Sequence, residues 1–326
     1  MQPLRWGILG PGKIAVKFAA ALRLAGDAVL KAVASRDRDR AFNFASAHGA
    51  ERFYDSYERL AADPDIDAIY IATPHGYHAE HSEICLRQRK AVLCEKPMAL
   101  NAGEVSRMIA ASRDNGVFLM EAMWTRFIPL MGQVSALIDE GRIGEPKYVR
   151  ADFGFPAPYQ PDSRLYNLRL GGGSLLDIGV YPLFLCLYLL GRPDGIVASG
   201  HLAASGADDV CDAIFGYRDG RSALIHSTLT CQTSLTAEIA GTEGSIRIPS
   251  PWYKNDRLHW NLSGHPEQTI MVDPMVNGFE FQIREVHRCL AAGQIESPYM
   301  SHNFSLMMSQ TMDAIRSQIG VKYIGE

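Results

Sequence analysis

The sequence predicts an α/β protein of two domains: a doubly wound parallel sheet first, then an α/β domain on an open, mostly antiparallel sheet. Three observations carry this. Short, fully apolar runs alternate with helical patterns through the first third of the chain, which implies a parallel sheet covered on both faces. A glycine-rich turn, Gly10-Pro11-Gly12, joins the first run to the first helical pattern. Beyond about residue 190 the runs shorten and are punctuated by Gly, Asp and Asn, the mark of antiparallel strands joined by turns.

Residues 4–9 form the first strand. Ile14, Phe18, Ala21, Leu22 and Ala25 recur at helical spacing. Residues 29–34 read as a strand and 38–48 as a helix. Residues 68–72, bounded by Asp67 and Pro74, read as a fourth strand. A helix over 79–89 leads to a fifth strand at 91–94. Asn101 and Gly116 are plausible cap and stop for a helix over 102–115, and 117–121 reads as the sixth strand. The first domain is thus 1–122 and the second 123–326. In the second, residues 150–169, rich in Pro, Tyr, Asp and Arg, read as an ordered loop. Residues 175–190 read as a helix that Pro182 should kink, or in which it restricts Tyr181. Strands follow at 196–201, 212–217, 223–230, 236–241, 245–248, 257–262 and 269–272, then helices at 278–292 and 304–319.

Hydrophobic residues make up 47% of the 326-residue chain and charged residues 21%, with a net charge of −4. There is no basic excess or stripe of a nucleic-acid binder. The six cysteines show no zinc or redox spacing, so they read as buried thiols of a reducing compartment, and no metal site is expected. The chain enters a strand-like run at Leu4 without a signal-peptide pattern. Its most apolar stretch, 175–190, is interrupted by Asp177, Gly179 and Pro182. A cytoplasmic protein without a membrane partner is the expectation.

Gly10 permits the tight turn after the first strand. Gly12 lets the backbone approach a pyrophosphate at the helix N-terminus, beside Lys13 and Ile14, and Ala15 stands where a third glycine is usual. Taken alone the motif is weak; on the first of several alternating units it points to a dinucleotide. After the second strand comes Ser35-Arg36, where an NAD-binding domain usually has a carboxylate. A hydroxyl and a guanidinium suit a 2′-phosphate, with Arg40 one turn on, and favour NADP(H). The alternative is a solvated mixed-charge helix start, and Asp37 is the residue that speaks for it. Lys96 follows the fifth strand in Glu95-Lys96-Pro97, at the carboxyl edge where ligands bind; an ordinary surface lysine is the alternative. Asp177 and Tyr181, four apart, share a face of an apolar helix. A paired core tyrosine fits that spacing as well as a functional one.

The Gly10–Ala15 turn, Thr73-Pro74-His75 with His78, Glu95-Lys96-Pro97 and the Asp177/Tyr181 helix together resemble the glucose–fructose oxidoreductase/inositol dehydrogenase (Gfo/Idh/MocA) family. Glu95-Lys96-Pro97-Met98, the run Glu121 to Phe127, and Leu176 to Tyr181 are similar to its branch of dimeric dihydrodiol and NADP-dependent D-xylose dehydrogenases. The resemblance covers essentially the whole chain. It implies a Rossmann domain, and a second domain whose open sheet forms a homodimer or homotetramer interface. It suggests a cis Lys96–Pro97 bond, and it implies hydride exchange between NADP(H) and a sugar-like or diol substrate. In that mechanism Tyr181 takes or returns the proton of the reacting hydroxyl. A phenol, at ~10, is a poor base at neutral pH; Lys96 favours its phenolate, and Asp177 orients Lys96, substrate or Tyr181.

Thr73, Pro74, His75, His78 and Glu95 stand as cofactor or substrate contacts, His78 ahead of His75. Trp124 and Arg126 either wall the nicotinamide pocket or pack as an interdomain cluster. Phe153, Tyr159, Tyr166 and Phe279 are candidate substrate walls, equally at home in a core. Two other classes remain open: an NADP-sensing regulator without turnover, disfavoured by the presence of both Lys96 and Tyr181, and an NAD-dependent glycosidase, disfavoured by Ser35-Arg36.

Overall fold

A computed structural model describes residues 3–324; the expected outer limits of the two domains, 1 and 326, lie outside that range. The chain divides into two compact units, Met1–Trp124 with Val276–Ser309, and Thr125–Met275 with Gln310–Glu326.

In the first unit β1 (Leu4–Leu9) leads to α1 (Lys13–Ala25), β2 (Ala28–Ala34), α2 (Arg38–His48), β3 (Arg52–Tyr54) and α3 (Tyr57–Ala61). Then come β4 (Ala68–Ile71), α4 (His78–Arg87), β5 (Ala91–Glu95), α5 (Ala102–Asn115) and β6 (Leu119–Ala122). The strands form one sheet in the order β3-β2-β1-β4-β5-β6, every pairing parallel. The order reverses beside β1, and the ligand crevice of such a sheet lies at that switch point. The strands are apolar because helices cover both faces: Ile8, Val33, Ile69, Ile71, Val92 and Leu93 are fully buried. Asn101 caps α5 by accepting the Glu104 amide at 2.9 Å, and Gly116, at φ 62°, ends it.

The second unit holds α6 (Pro129–Asp139), β7 (Pro146–Gly154), α7 (Val180–Leu190), β8 (Gly195–Leu202), β9 (Asp208–Gly216), β10 (Ser222–Thr228), β11 (Ala237–Gly241), β12 (Gly244–Ile248), β13 (Arg257–Leu262) and β14 (Gln268–Met271). Its eight strands run β14-β13-β12-β11-β7-β10-β9-β8. All pairings are antiparallel except β7 with β10. Helix α8 (Glu280–Ala291) belongs to the first unit, and α9 (His302–Ile319) is divided between the two.

Three expectations are corrected. Residues 276–309 do not belong with the second domain. Helix α8 is strongly amphipathic and buries Ile283, Val286 and Cys289 in the first unit, and the chain around Ile295 completes the edge of the Rossmann sheet by accepting the Leu119 amide at 3.0 Å. Residues 150–169 are not loop throughout: residues 150–154 finish β7, whose alternating burial is masked by its polar side chains. The helix at 175–190 is not one regular element kinked at Pro182. A π turn over Leu175–Gly179 precedes α7. Pro182 falls in the first turn of α7, directly after the π turn. The helical stretch Leu168–Leu190 is apolar and long enough to cross a membrane, and most of it is buried inside the fold.

Candidate functional site

The first unit gathers its candidate residues at the carboxyl ends of β1, β2, β4 and β5. Gly10 has φ +94°, and a Cβ there would lie 2.9 Å from Thr73 Cγ2 and 3.0 Å from the Ala72 carbonyl, so only glycine fits. Around Gly12 a Cβ would meet nothing within 4 Å, and α1 begins there with no side-chain cap. First-turn amides without a side-chain cap, beside Lys13 and Ile14, suit a pyrophosphate. Ser35 is buried and its Oγ accepts the Asp37 amide at 3.2 Å. Arg36 is exposed, with its guanidinium 5.6 Å from the Tyr77 ring. Asp37 is the N-cap of α2, where Oδ1 accepts the Arg40 amide at 3.1 Å. One carboxylate oxygen thereby caps a helix start, while Arg36 and Arg40 are exposed residues, with Arg36 also interacting with Tyr57.

Lys96 is half-buried at the end of β5, and its bond to Pro97 is cis. Beneath it lie two carboxyls. Glu95, expected at the cofactor, points inward instead: it is 6% exposed and accepts the Tyr70 hydroxyl. Burial raises its pKa above the ordinary carboxylate value, against the opposing pull of Lys96. Glu121, at the end of β6, accepts the Met98 amide on Oε1 at 3.0 Å and so fastens the turn that follows Pro97. Burial pushes its carboxyl up to about 7, outweighing the Ser305 hydroxyl and the Met98 amide; Oε2 lacks a partner of ordinary geometry.

His78 does not present a ring nitrogen to a ligand, contrary to expectation. It is fully buried, and its Nδ1 and Nε2 each lie 2.8 Å from a backbone carbonyl, of Pro97 and of Thr73. Two carbonyls ask for two N–H groups, but burial is the larger effect and holds the imidazole down at about 4. The ring bridges the turn after β4 and the turn after β5. Thr73 is likewise engaged internally, its Oγ1 3.0 Å from His81 Nδ1. Half-buried Pro74 precedes the short turn that carries His75, whose ring stands edge-on to His78 at 5.5 Å.

Trp124 and Phe279 pack together in the first unit, ring centroids 5.2 Å apart, and are 4% and 1% exposed. Arg126 lies in the second unit, its guanidinium 4.4 Å from the Tyr188 ring.

In the second unit Asp177 sits in the π turn and Tyr181 begins α7, both buried. Asp177 Oδ1 accepts Arg164 Nη1 at 2.7 Å, so the carboxylate that helical spacing singled out is ion-paired by the preceding loop. Tyr181 packs 5.4 Å from Phe153 and 5.3 Å from Tyr253, which stack on each other at 4.4 Å. Tyr159, exposed, and Tyr166, buried, meet edge-on at 5.0 Å, and the Tyr166 hydroxyl donates to the Ala157 carbonyl at 3.1 Å. The start of this helical stretch is fixed by Asp208, fully buried, which accepts the Ser174 hydroxyl and the Leu175 amide, each at 2.7 Å. Among the described residues no group of three or more His, Cys, Asp or Glu side chains has the geometry to hold a metal.

Residues 4–123 match the model of the oxidoreductase family with an NAD-binding Rossmann fold (GFO_IDH_MocA), and residues 131–247 match the GFO/IDH/MocA C-terminal domain. The chain belongs to the Gfo/Idh/MocA oxidoreductase family. It is 39% identical to a trans-1,2-dihydrobenzene-1,2-diol dehydrogenase of Danio rerio, over 98% of both chains. Among solved structures it is similar to KijD10, a 3-ketoreductase from Actinomadura kijaniata in complex with NADP and TDP-benzene, with a TM-score of 0.87, 29% identity and 98% of each chain covered. It is also similar to an aldose-aldose oxidoreductase from Caulobacter crescentus complexed with glycerol, with a TM-score of 0.88, 25% identity and 97% of each covered.

Sequence reasoning missed four side chains of this family member's candidate site. Lys17 is a lysine on the inward side of α1 and Glu121 a carboxylate closing an apolar strand; both were visible as charges out of place. Tyr253 follows Pro251-Trp252 in an aromatic cluster that periodicity does not flag. Arg164 carries no local signal at all, since only the fold brings it to Asp177.

Proposed function

We propose that this oxidoreductase is an NADP(H)-dependent dehydrogenase or reductase acting on CH–OH groups of a sugar or diol. The observation that carries it is the similarity, over nearly the full length of both chains, to dihydrodiol dehydrogenases. Two features of the first unit support this: the α1 N-terminus without a side-chain cap behind Gly12 suits the pyrophosphate of a dinucleotide, and the exposed Arg36 and Arg40 after β2 suit the 2′-phosphate of NADP(H). A phosphate dianion suits two guanidinium groups and would be repelled by a free carboxylate.

The bound nicotinamide supplies or accepts the hydride. The roles proposed for this chain's residues are those the resemblance implies. Tyr181 takes the proton of the reacting hydroxyl in oxidation and returns it in reduction. Lys96 is the cation that makes phenolate accessible, its turn held by His78 and Glu121. Asp177, kept in place by Arg164, orients the reacting groups. Within the second unit Phe153 and Tyr253 flank Tyr181 as apolar walls for a ring-shaped substrate; Trp124 and Phe279, packed together in the first unit, are likewise proposed as substrate walls.

The second unit is proposed as the oligomerisation domain of a homodimer or homotetramer. Val197, Ile214 and Leu224 stand in cross-strand register on one sheet face and are 68%, 52% and 38% exposed, an apolar row of the kind a second copy covers. A cytoplasmic location fits six free cysteines, five of them buried.

The test is the near-ultraviolet absorbance of NADPH, with NADP and a panel of aldoses, polyols and a trans-dihydrodiol, repeated with NAD and with Tyr181→Phe. A substrate-dependent rise with NADP that the variant loses, while still binding NADPH, supports the reading. A flat trace across the panel with NADPH bound moves it to a cofactor sensor. Turnover unchanged in Tyr181→Phe removes Tyr181 as acid and base.

A further inference from the structure

Lys17 is an unusual lysine. It lies in the interior of α1, among apolar Ile14, Phe18, Ala20 and Ala21, and it is half-buried. Its Nζ is 4.0 Å from the centroid of the Trp124 ring and 4.1 Å from that of Phe279. The two rings are themselves 5.2 Å apart and tilted by 50°, so the ammonium sits against both. An ammonium this close to two ring faces is attracted by both quadrupoles, and more strongly once water is removed; the rings are 4% and 1% exposed. Opposite charge is supplied by Glu95, whose carboxyl feels the Lys17 cation. The backbone around the contact is also tied down. Asn277 Nδ2 donates to the Lys17 carbonyl at 2.9 Å, and Asn277 Oδ1 accepts the Phe279 amide at 3.2 Å. Helix α1 thus fixes the segment that carries Phe279 by its main chain and the two rings by its side chain.

We infer that Lys17 is a positioning residue: its ammonium sets the mutual tilt of Trp124 and Phe279, and with it the fit of a substrate ring. The inference rests on the proposed role of these two aromatics as substrate walls. An uncharged side chain of the same length would leave the rings packed but free to change tilt. An aryl diol and an aldose present different faces to such a wall, so the loss falls unequally on the two.

The experiment uses the full-length enzyme with Lys17→Met, which keeps the stem without the charge, and Lys17→Arg, which restores a cation. Lys17→Met is expected to raise KM for the better ring substrate about tenfold, the scale of a desolvated cation–aromatic contact. The kcat/KM ratio between diol and aldose should shift, with little change in kcat or in NADPH affinity, and Lys17→Arg should return most of the loss. A merely structural lysine would lower all parameters together and leave the diol-to-aldose ratio alone; that result overturns the inference, as does an unchanged KM. Phe279→Leu, alone and combined with Lys17→Met, separates the two claims. If Phe279→Leu leaves KM and the ratio unchanged, the wall reading fails. If it changes them and Lys17→Met does not, only the role of Lys17 fails. Should Lys17→Met not fold, Lys17→Arg against Lys17→Gln carries the same comparison.

Discussion

Replacing Glu121 by glutamine is expected to stabilise the protein at alkaline pH and to leave it nearly unchanged in acid. The carboxyl is 1% exposed and titrates at about 7 in the fold, against 4.5 for an ordinary glutamate. The difference, 7 − 4.5 = 2.5 pH units, corresponds to about 3 kcal/mol. The sign follows from which state keeps the proton. The folded chain holds it to higher pH than the unfolded chain does. The stabilisation this represents is complete below the unfolded value, declines as pH rises, and is lost once pH has passed the folded value. Above that the fold carries a buried carboxylate that the unfolded chain would solvate. Glutamine keeps an oxygen for the Met98 amide and offers an NH2 to the Ser305 hydroxyl, whose oxygen can accept as well as donate. It also relieves Glu95 of a like charge, which acts in the same direction. Urea unfolding of both proteins from about pH 5 to about pH 9 measures the effect as a variant-minus-wild-type difference that grows by about 3 kcal/mol. A difference that stays constant across that range refutes the assignment of a neutral-range pKa to Glu121.

Arg36→Ala should weaken NADP(H) by about tenfold to a hundredfold, the scale of a charge-assisted hydrogen bond, and NAD(H) far less; fluorescence titration of both cofactors checks it, and equal losses would mean Arg36 does not read the 2′-phosphate. Gly10→Ala places a side chain at φ +94° against the Ala72 carbonyl and is expected to cost about 2 kcal/mol or more of stability, with NADPH affinity reduced, as thermal melting and cofactor titration would record. Arg164→Ala removes the partner of a buried carboxylate; kcat/KM should fall by about tenfold with NADPH binding unchanged, and steady-state kinetics at full activity would show that Asp177 does not depend on it.

The Rossmann half was legible because its signals are local. A fully apolar strand, a glycine turn and a capped helix each announce themselves within a few residues, so β1, α2 and α5 fall where periodicity and caps put them. Strand β7 was hidden because a strand in mid-sheet with polar side chains on one face looks like loop, and β3, of three residues, is too short to show a period. Residues 276–309 were assigned to the wrong unit because nothing in the sequence of α8 names the partner of its apolar face.

The candidate site divides in the same way. The sequence by itself determined which chemical groups are present at the strand ends and on the 175–190 helix: Gly10, Gly12, Ser35, Arg36, Lys96, Asp177 and Tyr181. Each carries its meaning in its residue type and its position after a strand or on a helix face. Only the tertiary structure decided what each group is doing. It turned His78 and Glu95 inward, spent Asp37 on a helix cap, paired Asp177 with Arg164, and set Lys17 between two aromatic rings. Spacing along the chain fixes which side chains share a face. Burial, charge and hydrogen-bond partners depend on which other segments arrive there, and those contacts join residues far apart in sequence.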